Sequence, residues 1–151
     1  RISDPLKLLA ETGLGYLTLG QASNTLSGGE AQRLKLVTEL IKGRRVSRNA
    51  LMKGKELPGD LYLIEEPSIG LHPRDVRLLI DVLHRLADQG NTVIVIEHNT
   101  EIMAEADYII DMGPGPGEEG GRIVASGTPE QIAQKDSPTA EYIRRELVES
   151  K

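Results

Sequence analysis

Hydrophobic positions recur along the chain with two different spacings, and together they predict strands that alternate with helices. The apolar run Leu61–Ile64 is typical of a buried parallel strand, and the acids Glu65 and Glu66 follow it directly. The next stretch carries apolar residues at helical spacing, and Thr92–Ile96 is a second, β-branched strand. Strand, helix and strand in this order predict a βαβ unit, whose two parallel strands end at the same edge.

Polar side chains follow both of these strands at the point where each one ends. Glu65 and Glu66 follow the first strand, and His98 comes shortly after the second. Two acids at the carboxyl edge of an open α/β sheet suit a metal ion and a water for phosphate chemistry. A solvated acidic pair and a structural histidine are the ordinary alternatives, but the shared edge favours a functional site.

A helix is predicted to begin at the sequence Ser27-Gly28-Gly29-Glu30. Ser27 and Glu30 have the spacing of a capping box, and apolar residues at helical spacing continue to Gly43, where the helix is expected to end. Gly28 and Gly29 leave the helix N-terminus without side chains, so its N–H groups can approach an anion closely. Phosphate contact is therefore expected here, with a plain helix cap as the alternative.

The segment Lys42–Lys55 carries six basic residues and no acid. It is predicted to be a solvated loop, and the alternative is a local patch that contacts a DNA backbone.

Turn-forming residues separate the elements of the C-terminal part of the chain. Tyr108–Met112 and Arg122–Ser126 predict a hairpin across a glycine- and proline-rich connection. A second capping box, Thr128 to Gln131, predicts a helix start, and a last helix is expected to run to about Glu149.

Composition excludes several classes of function. The chain has 151 residues, 38% of them apolar, with no Phe or Trp, which argues against a base-stacking surface. Its net charge of −5 argues against a general electrostatic binder of nucleic acid, and without Cys it has neither a disulfide nor a cysteine-based zinc site. No apolar stretch approaches the roughly 20 residues that cross a bilayer, so a cytoplasmic protein is expected. The chain begins with Arg1 and is expected to be a piece of a longer protein.

Four segments in this order resemble the second half of an ATP-binding cassette (ABC) ATPase. Leu26–Glu30 resembles its signature motif, and Leu61–Glu66 resembles its Walker B strand. Ser68–His72 resembles its D-loop, and His98 its switch histidine. The resemblance implies an α/β fold, a partial ABC-type P-loop nucleotide-binding domain with a mainly parallel sheet. The whole chain, 1–151, would be the C-terminal portion of that domain. Its parts would be the signature helix 26–43, the Walker B to switch-histidine core 61–99, and the hairpin and helices 107–149.

Further stretches resemble the UvrA family of excinuclease proteins, the damage-sensing ATPases of bacterial nucleotide excision repair. They are Leu14–Gln21, Thr25–Lys35, Gly70–His72, Gly90–Asn99 and Asp107–Pro114. This resemblance implies ATP and Mg²⁺ as cofactors, and it implies no association with a membrane. The partners that it implies are damaged double-stranded DNA, a second copy of the protein and the excinuclease B subunit.

The resemblance also implies a role for individual residues. Glu66 would polarise the attacking water, Glu65 would hold Mg²⁺ through water, and His98 would contact the γ-phosphate. The surface that closes on the ATP of another nucleotide-binding domain would comprise Ser27, Gly28, Gly29 and Glu30.

Two departures from the family pattern affect these expectations. The family has Asp where this chain has Glu65, and one extra methylene moves the carboxylate by about 1.5 Å. The phosphate-cradling pattern Gly-x-x-x-x-Gly-Lys-Ser/Thr (Walker A) does not occur in the 151 residues, so the chain alone is expected neither to bind ATP tightly nor to hydrolyse it. The family's zinc modules would lie outside this segment. The alternatives are a transporter or chromosome-maintenance ATPase, and a degenerate scaffold cassette that does not hydrolyse ATP.

Overall fold

Two α/β units follow one another along the chain, Arg1–Glu97 and His98–Lys151. The boundary between them lies inside the predicted core segment 61–99. The computed structural model describes residues 2–51, 59–115 and 120–149. None of the helices in these ranges has both the length and the apolar character that crossing a membrane requires.

The first unit contains the predicted βαβ arrangement. β1 and β2 pair in parallel, with Leu61 opposite Thr92 and Glu65 opposite Ile96, which confirms the predicted pairing. An irregular turn follows the first helix, and a single 3₁₀ turn precedes the second. The elements are α1 Ser3–Leu9, α2 Gly28–Leu51, β1 Leu61–Glu65, α3 Pro73–Ala87 and β2 Thr92–Ile96.

Local sequence explains why α3 begins at Pro73. Proline suits the first helical position, and Nδ1 of His72 accepts a hydrogen bond from the Arg74 N–H at 3.3 Å, so His72 caps the helix. One apolar stripe of the helix is buried, as its spacing predicts. The buried residues of α3 are Val76, Leu79, Val82, Leu83 and Leu86.

The helix α2 was predicted to end at Gly43, but it continues to Leu51. The side-chain amide of Gln89, just beyond α3, lies close to Gly43 and would have to move if this position carried a Cβ. A glycine inside a helix can therefore mark a close approach instead of a stop. The same helix overturns the predicted basic loop for residues 42–51, while residues 52–55 lie outside the described ranges.

One face of the β1–β2 sheet is exposed, which corrects the prediction of a buried strand. Leu61 and Leu63 are 61% and 72% exposed, and Ile94 and Ile96 on β2 are exposed with them. Ile64 points to the opposite face, as alternation along a strand requires, and is buried. An apolar run therefore predicted the strand correctly but overestimated how much of it the unit itself covers.

The second unit contains the predicted hairpin and the helices that follow it. β3 and β4 pair antiparallel, which confirms the hairpin. The capping box is present, with the Thr128 N–H donating to Gln131 Oε1 at 3.0 Å and the Gln131 N–H to Thr128 Oγ1 at 3.4 Å. The elements are α4 Thr100–Ala104, β3 Ile109–Gly113, β4 Arg122–Gly127, α5 Pro129–Ala133 and α6 Pro138–Glu149.

A small aliphatic core holds the second unit together. It joins residues from β3, β4, α5 and α6, and partly buried side chains such as Met103 and Leu147 pack against it. The buried members are Ile109, Ala125, Ile132, Ala140 and Ile143.

The chain turns sharply where β1 ends. Glu66 has φ of +42°, in the left-handed region that L-residues avoid, and it is the one non-glycine residue of the described ranges with positive φ. Such conformations persist only where the surroundings hold them, and they concentrate at functional sites.

Removing a core side chain of the second unit should cost far more than removing an exposed one. We expect Ile132→Ala to lower the free energy of unfolding by about 2–5 kcal/mol, because Ile132 is fully buried. Ile123→Ala, at a position 63% exposed on β4, should change it by less than about 1 kcal/mol. Urea unfolding followed by circular dichroism would measure both, and equal losses would contradict this core.

A pair of substitutions at Glu66 tests the left-handed corner. Glu66→Gly and Glu66→Ala both remove the carboxylate, but only glycine adopts positive φ without steric cost. We expect Glu66→Gly to be more stable than Glu66→Ala by about 1 kcal/mol, measured by thermal unfolding. The reverse order would mean that Glu66 does not have this backbone conformation.

Candidate functional site

The start of α2 has the capping box that its sequence predicts. The Ser27 N–H donates to Glu30 Oε2 at 2.6 Å, and the Glu30 N–H donates to Ser27 Oγ at 3.3 Å. The Ser27 carbonyl accepts the first helical bond, from the Ala31 N–H at 3.0 Å. These bonds leave the Ser27 hydroxyl at an exposed helix N-terminus, where the helix dipole favours an anion.

A tyrosine from outside the helix completes the cap. The Tyr16 hydroxyl donates a hydrogen bond to Glu30 Oε1, although the two residues are 14 positions apart. This bond, with those from Ser27, holds the pKa of Glu30 below its usual range, and it raises the pKa of Tyr16. A carboxyl whose pKa is lowered on folding stabilises the folded state above its unfolded pKa, and that contribution is lost as the pH falls through the folded value. The cap is therefore intact at neutral pH.

The two glycines at the start of α2 have different surroundings. A Cβ at Gly28, an exposed residue, would meet nothing within 4 Å, and a phosphate contact by its N–H stays a prediction. A Cβ at Gly29 would lie 3.2 Å from the Ile69 carbonyl oxygen and 3.4 Å from Nη1 of the buried Arg33. The absence of a side chain at Gly29 thus allows the loop after β1 to approach the helix.

Both acids of the predicted pair lie at the carboxyl edge of the parallel strands. Glu65 is the last residue of β1 and is exposed, and Glu66 is half-buried at the corner. The Glu66 N–H donates to the Ile96 carbonyl at 2.8 Å, which extends the pairing by one residue. The Ile69 N–H donates to the Glu66 carbonyl at 3.1 Å, so the chain turns back at once.

Two further side chains hold this corner, and the sequence did not single out either of them. Nε2 of Gln32, on α2, donates to the Glu65 carbonyl at 3.0 Å. Oε1 of Glu97, directly after β2, accepts from the Ser68 N–H at 2.8 Å. The structure therefore brings the start of α2 and the acidic corner together within the first unit. Side-chain bonds between residues about 30 positions apart leave no periodic signal in a sequence.

His98 is the first residue of the second unit, and its side chain is exposed. It directly precedes Asn99, whose side-chain oxygen caps α4 by accepting from the N–H groups of Glu101 and Ile102 at 3.0 and 3.3 Å. The Asn99 cap sets the start of α4 at Thr100, two residues after His98. A role for His98 beside the carboxylates of the first unit stays a prediction.

A hydrated magnesium ion fits the donors present at this edge. Mg²⁺ usually keeps several waters and takes only one or two protein carboxylates beside substrate phosphates, and the exposed Glu65 supplies one such carboxylate. Within the ranges that the structure describes, no group of three or more acidic or histidine side chains could hold a metal ion.

Comparison with known proteins gives a consistent result. No protein-family model matches the chain. The chain is 50% identical over 147 residues to UvrABC system protein A of Mycoplasmopsis pulmonis, a match that covers 97% of this chain and 14% of that protein. It is 53% identical over 143 residues to the protein of the same name from Aquifex aeolicus, covering 94% of the chain and 14% of the relative. With the Thermus thermophilus protein the identity is 51% over 144 residues, 95% of the chain and 14% of the relative.

The fold also matches a solved structure of a UvrA protein. The crystal structure of UvrA2 from Deinococcus radiodurans superposes with a TM-score of 0.82 at 47% sequence identity, over 97% of this chain and 17% of that one. The chain thus spans about one seventh of the length of the curated relatives it matches. By sequence and by fold, the chain belongs to the UvrABC system protein A family.

Proposed function

We propose that residues 1–151 form the C-terminal part of the second ATP-binding cassette of a cytoplasmic ATPase that recognises DNA damage in bacterial nucleotide excision repair. Sequence identity of about one half over nearly the whole chain supports this proposal. In the proposed role, ATP binding and hydrolysis between paired cassettes would change how the protein binds damaged DNA.

The observation that carries the proposal is the acidic corner beside the start of α2. Glu66 is held in a left-handed backbone conformation at the carboxyl edge of two parallel strands, where α/β proteins bind their ligands. The Gln32–Glu65 hydrogen bond connects this corner to the helix that begins at the exposed residue Gly28. A carboxylate and exposed N–H donors are the groups that phosphoryl transfer to water requires.

Glu66 would act on the attacking water. Its carboxylate would accept a hydrogen bond from that water and orient it toward the γ-phosphate, while His98 would contact the same phosphate. Hydrolysis of this kind depends on positioning and on charge stabilisation, so a fixed backbone at Glu66 serves the chemistry directly.

The start of α2 would act on a different ATP molecule. Its donors would face the triphosphate that another nucleotide-binding domain holds: the Ser27 hydroxyl and the N–H groups of Gly28 and Gly29. Glu30 would keep these donors in place through the capping box that it forms with Ser27.

Magnesium would take part through Glu65. When bound, Mg²⁺ neutralises charge on the β- and γ-phosphates, and the Glu65 carboxylate would hold it through a water.

The proposed partners are damaged double-stranded DNA, a second copy of the protein and the excinuclease B subunit. The chain alone is expected to show no ATP turnover, because the lysine-containing phosphate loop does not occur in its sequence. A second candidate function is a scaffold cassette that binds lesions without hydrolysing ATP at this site. The longer acid at Glu65 favours that candidate, because Mg²⁺ demands near-ideal geometry.

Titrating the full-length protein with ATP and DNA tests the proposal. We expect tighter binding to lesion-bearing than to intact duplex, and a preference that changes with ATP. Glu66→Gln should lower ATP turnover at this site by at least about 100-fold while ATP binding is kept, because the amide accepts protons poorly. The measurements are fluorescence anisotropy of labelled duplexes and steady-state phosphate release.

Each outcome of that titration has a distinct meaning. Equal affinity for lesion-bearing and intact duplex would contradict the repair function. Lesion preference with turnover that Glu66→Gln leaves unchanged would favour the scaffold.

Shortening Glu65 tests its proposed contact with magnesium. Glu65→Asp places the carboxylate about 1.5 Å closer to the backbone, as in the family pattern, and should lower the Mg²⁺ concentration for half-maximal turnover by about tenfold. Glu39→Asp is the matched control, because Glu39 pairs with Lys42 at 2.6 Å on the surface of α2. An unchanged Mg²⁺ requirement in Glu65→Asp would argue that Glu65 has no part in holding the ion.

A further inference from the structure

The peptide unit between Glu65 and Glu66 is held at both of its polar groups. Its carbonyl, from Glu65, accepts from Nε2 of Gln32 at 3.0 Å. Its N–H, from Glu66, donates to the Ile96 carbonyl at 2.8 Å. A peptide unit is planar, so two bonds on opposite sides restrict its rotation about the chain.

The orientation of this plane decides where the Glu66 side chain points. The φ angle of Glu66 is measured against this peptide, and at +42° it lies where the conformation persists only if neighbours impose it. The strand pairing supplies the Ile96 bond, as it would for any residue at this position. The Gln32 bond comes from another element and is specific to this side chain.

A second contact between α2 and the same corner lies three residues further on. The Ile69 carbonyl is so close to Gly29 that a Cβ there would be 3.2 Å from it, and the Ile69 N–H closes the turn onto the Glu66 carbonyl at 3.1 Å. The first two turns of α2 therefore lie against both ends of the corner. Among the residues of α2 in this contact, Gln32 makes one side-chain hydrogen bond that a substitution can remove.

We propose that Gln32 is a positioning residue for Glu66: by holding the Glu65 carbonyl, it keeps the Glu66 carboxylate aimed at the water that attacks the phosphate. This inference rests on the proposed function, and it adds a residue to which no role was assigned from the sequence. Gln32 touches neither water nor phosphate in this role, so its loss should affect turnover more than ATP binding.

The test is Gln32→Met in the full-length protein. Methionine keeps the length and the helix propensity of glutamine but has no N–H donor. We expect kcat for ATP hydrolysis to fall about tenfold, because a small displacement of a positioned group is costly, while KM for ATP stays within about twofold. Gln32→Lys, which restores a donor of similar reach, should recover kcat to within about threefold of wild type.

Lys35→Met is the matched control. It places the same side chain on an exposed position of α2 one turn further along, and its kcat should equal that of wild type. The double variant Gln32→Met with Glu66→Gln should be no slower than Glu66→Gln alone, because residues that act as a unit are not additive. Melting temperatures of all variants would be recorded alongside.

The outcomes separate this inference from the proposed function. If Glu66→Gln abolishes turnover but Gln32→Met keeps the wild-type kcat, the positioning role is wrong and the ATPase function stands. If Gln32→Met lowers the melting temperature without changing kcat, or if Gln32→Lys fails to recover activity, the role is overturned as well. Turnover that is insensitive to Glu66→Gln would instead remove the proposed function.

Discussion

The parallel pairing of β1 with β2 is the constraint on which the first unit depends. Because Glu65 lies opposite Ile96, the next N–H, from Glu66, reaches the Ile96 carbonyl and the strand ends in a left-handed corner. The chain then turns back within a few residues to His72, which caps α3. The helix that joins the two strands therefore begins at Pro73, after a short loop that follows the acids at the end of β1.

The helix α2 adds a second set of constraints to this arrangement. Its first turn is closed by reciprocal bonds between Ser27 and Glu30 and by the Tyr16 hydroxyl. Its second turn reaches the end of β1 through Gln32. The donors at its N-terminus and the acid at the corner thus lie in one unit and are connected through the Gln32–Glu65 hydrogen bond.

Two glycines of α2 lie where other parts of the chain closely approach the helix. Gly29 admits the Ile69 carbonyl, and Gly43 admits the Gln89 side chain. Glycine inside a helix costs about 1 kcal/mol relative to alanine, and the left-handed conformation of Glu66 adds a cost of similar size. The protein tolerates these local costs where the loop after β1 and the Gln89 side chain approach α2, and where β1 ends at Glu66.

The comparisons show the family of this chain. The chain matches only about one seventh of the length of its relatives, so the function of the whole protein is a proposal. The chain retains the acidic corner and the glycine-led helix start, and both lie in its first unit. Glu65 is the last residue of β1 and is exposed at the carboxyl edge of the parallel strand pair.

Local patterns in the amino-acid sequence were sufficient for the βαβ unit, the hairpin and both capping boxes. Each depends on residues within a few positions of one another, so spacing alone carries the information. The end of α2 beyond Gly43, the exposed face at Leu63 and the bonds from Tyr16 and Gln32 could not be predicted in this way. They depend on contacts between residues that are far apart in the sequence, such as those of α2 with α3 and with the end of β1. Such contacts form only when the elements pack, and no periodicity in the sequence encodes them.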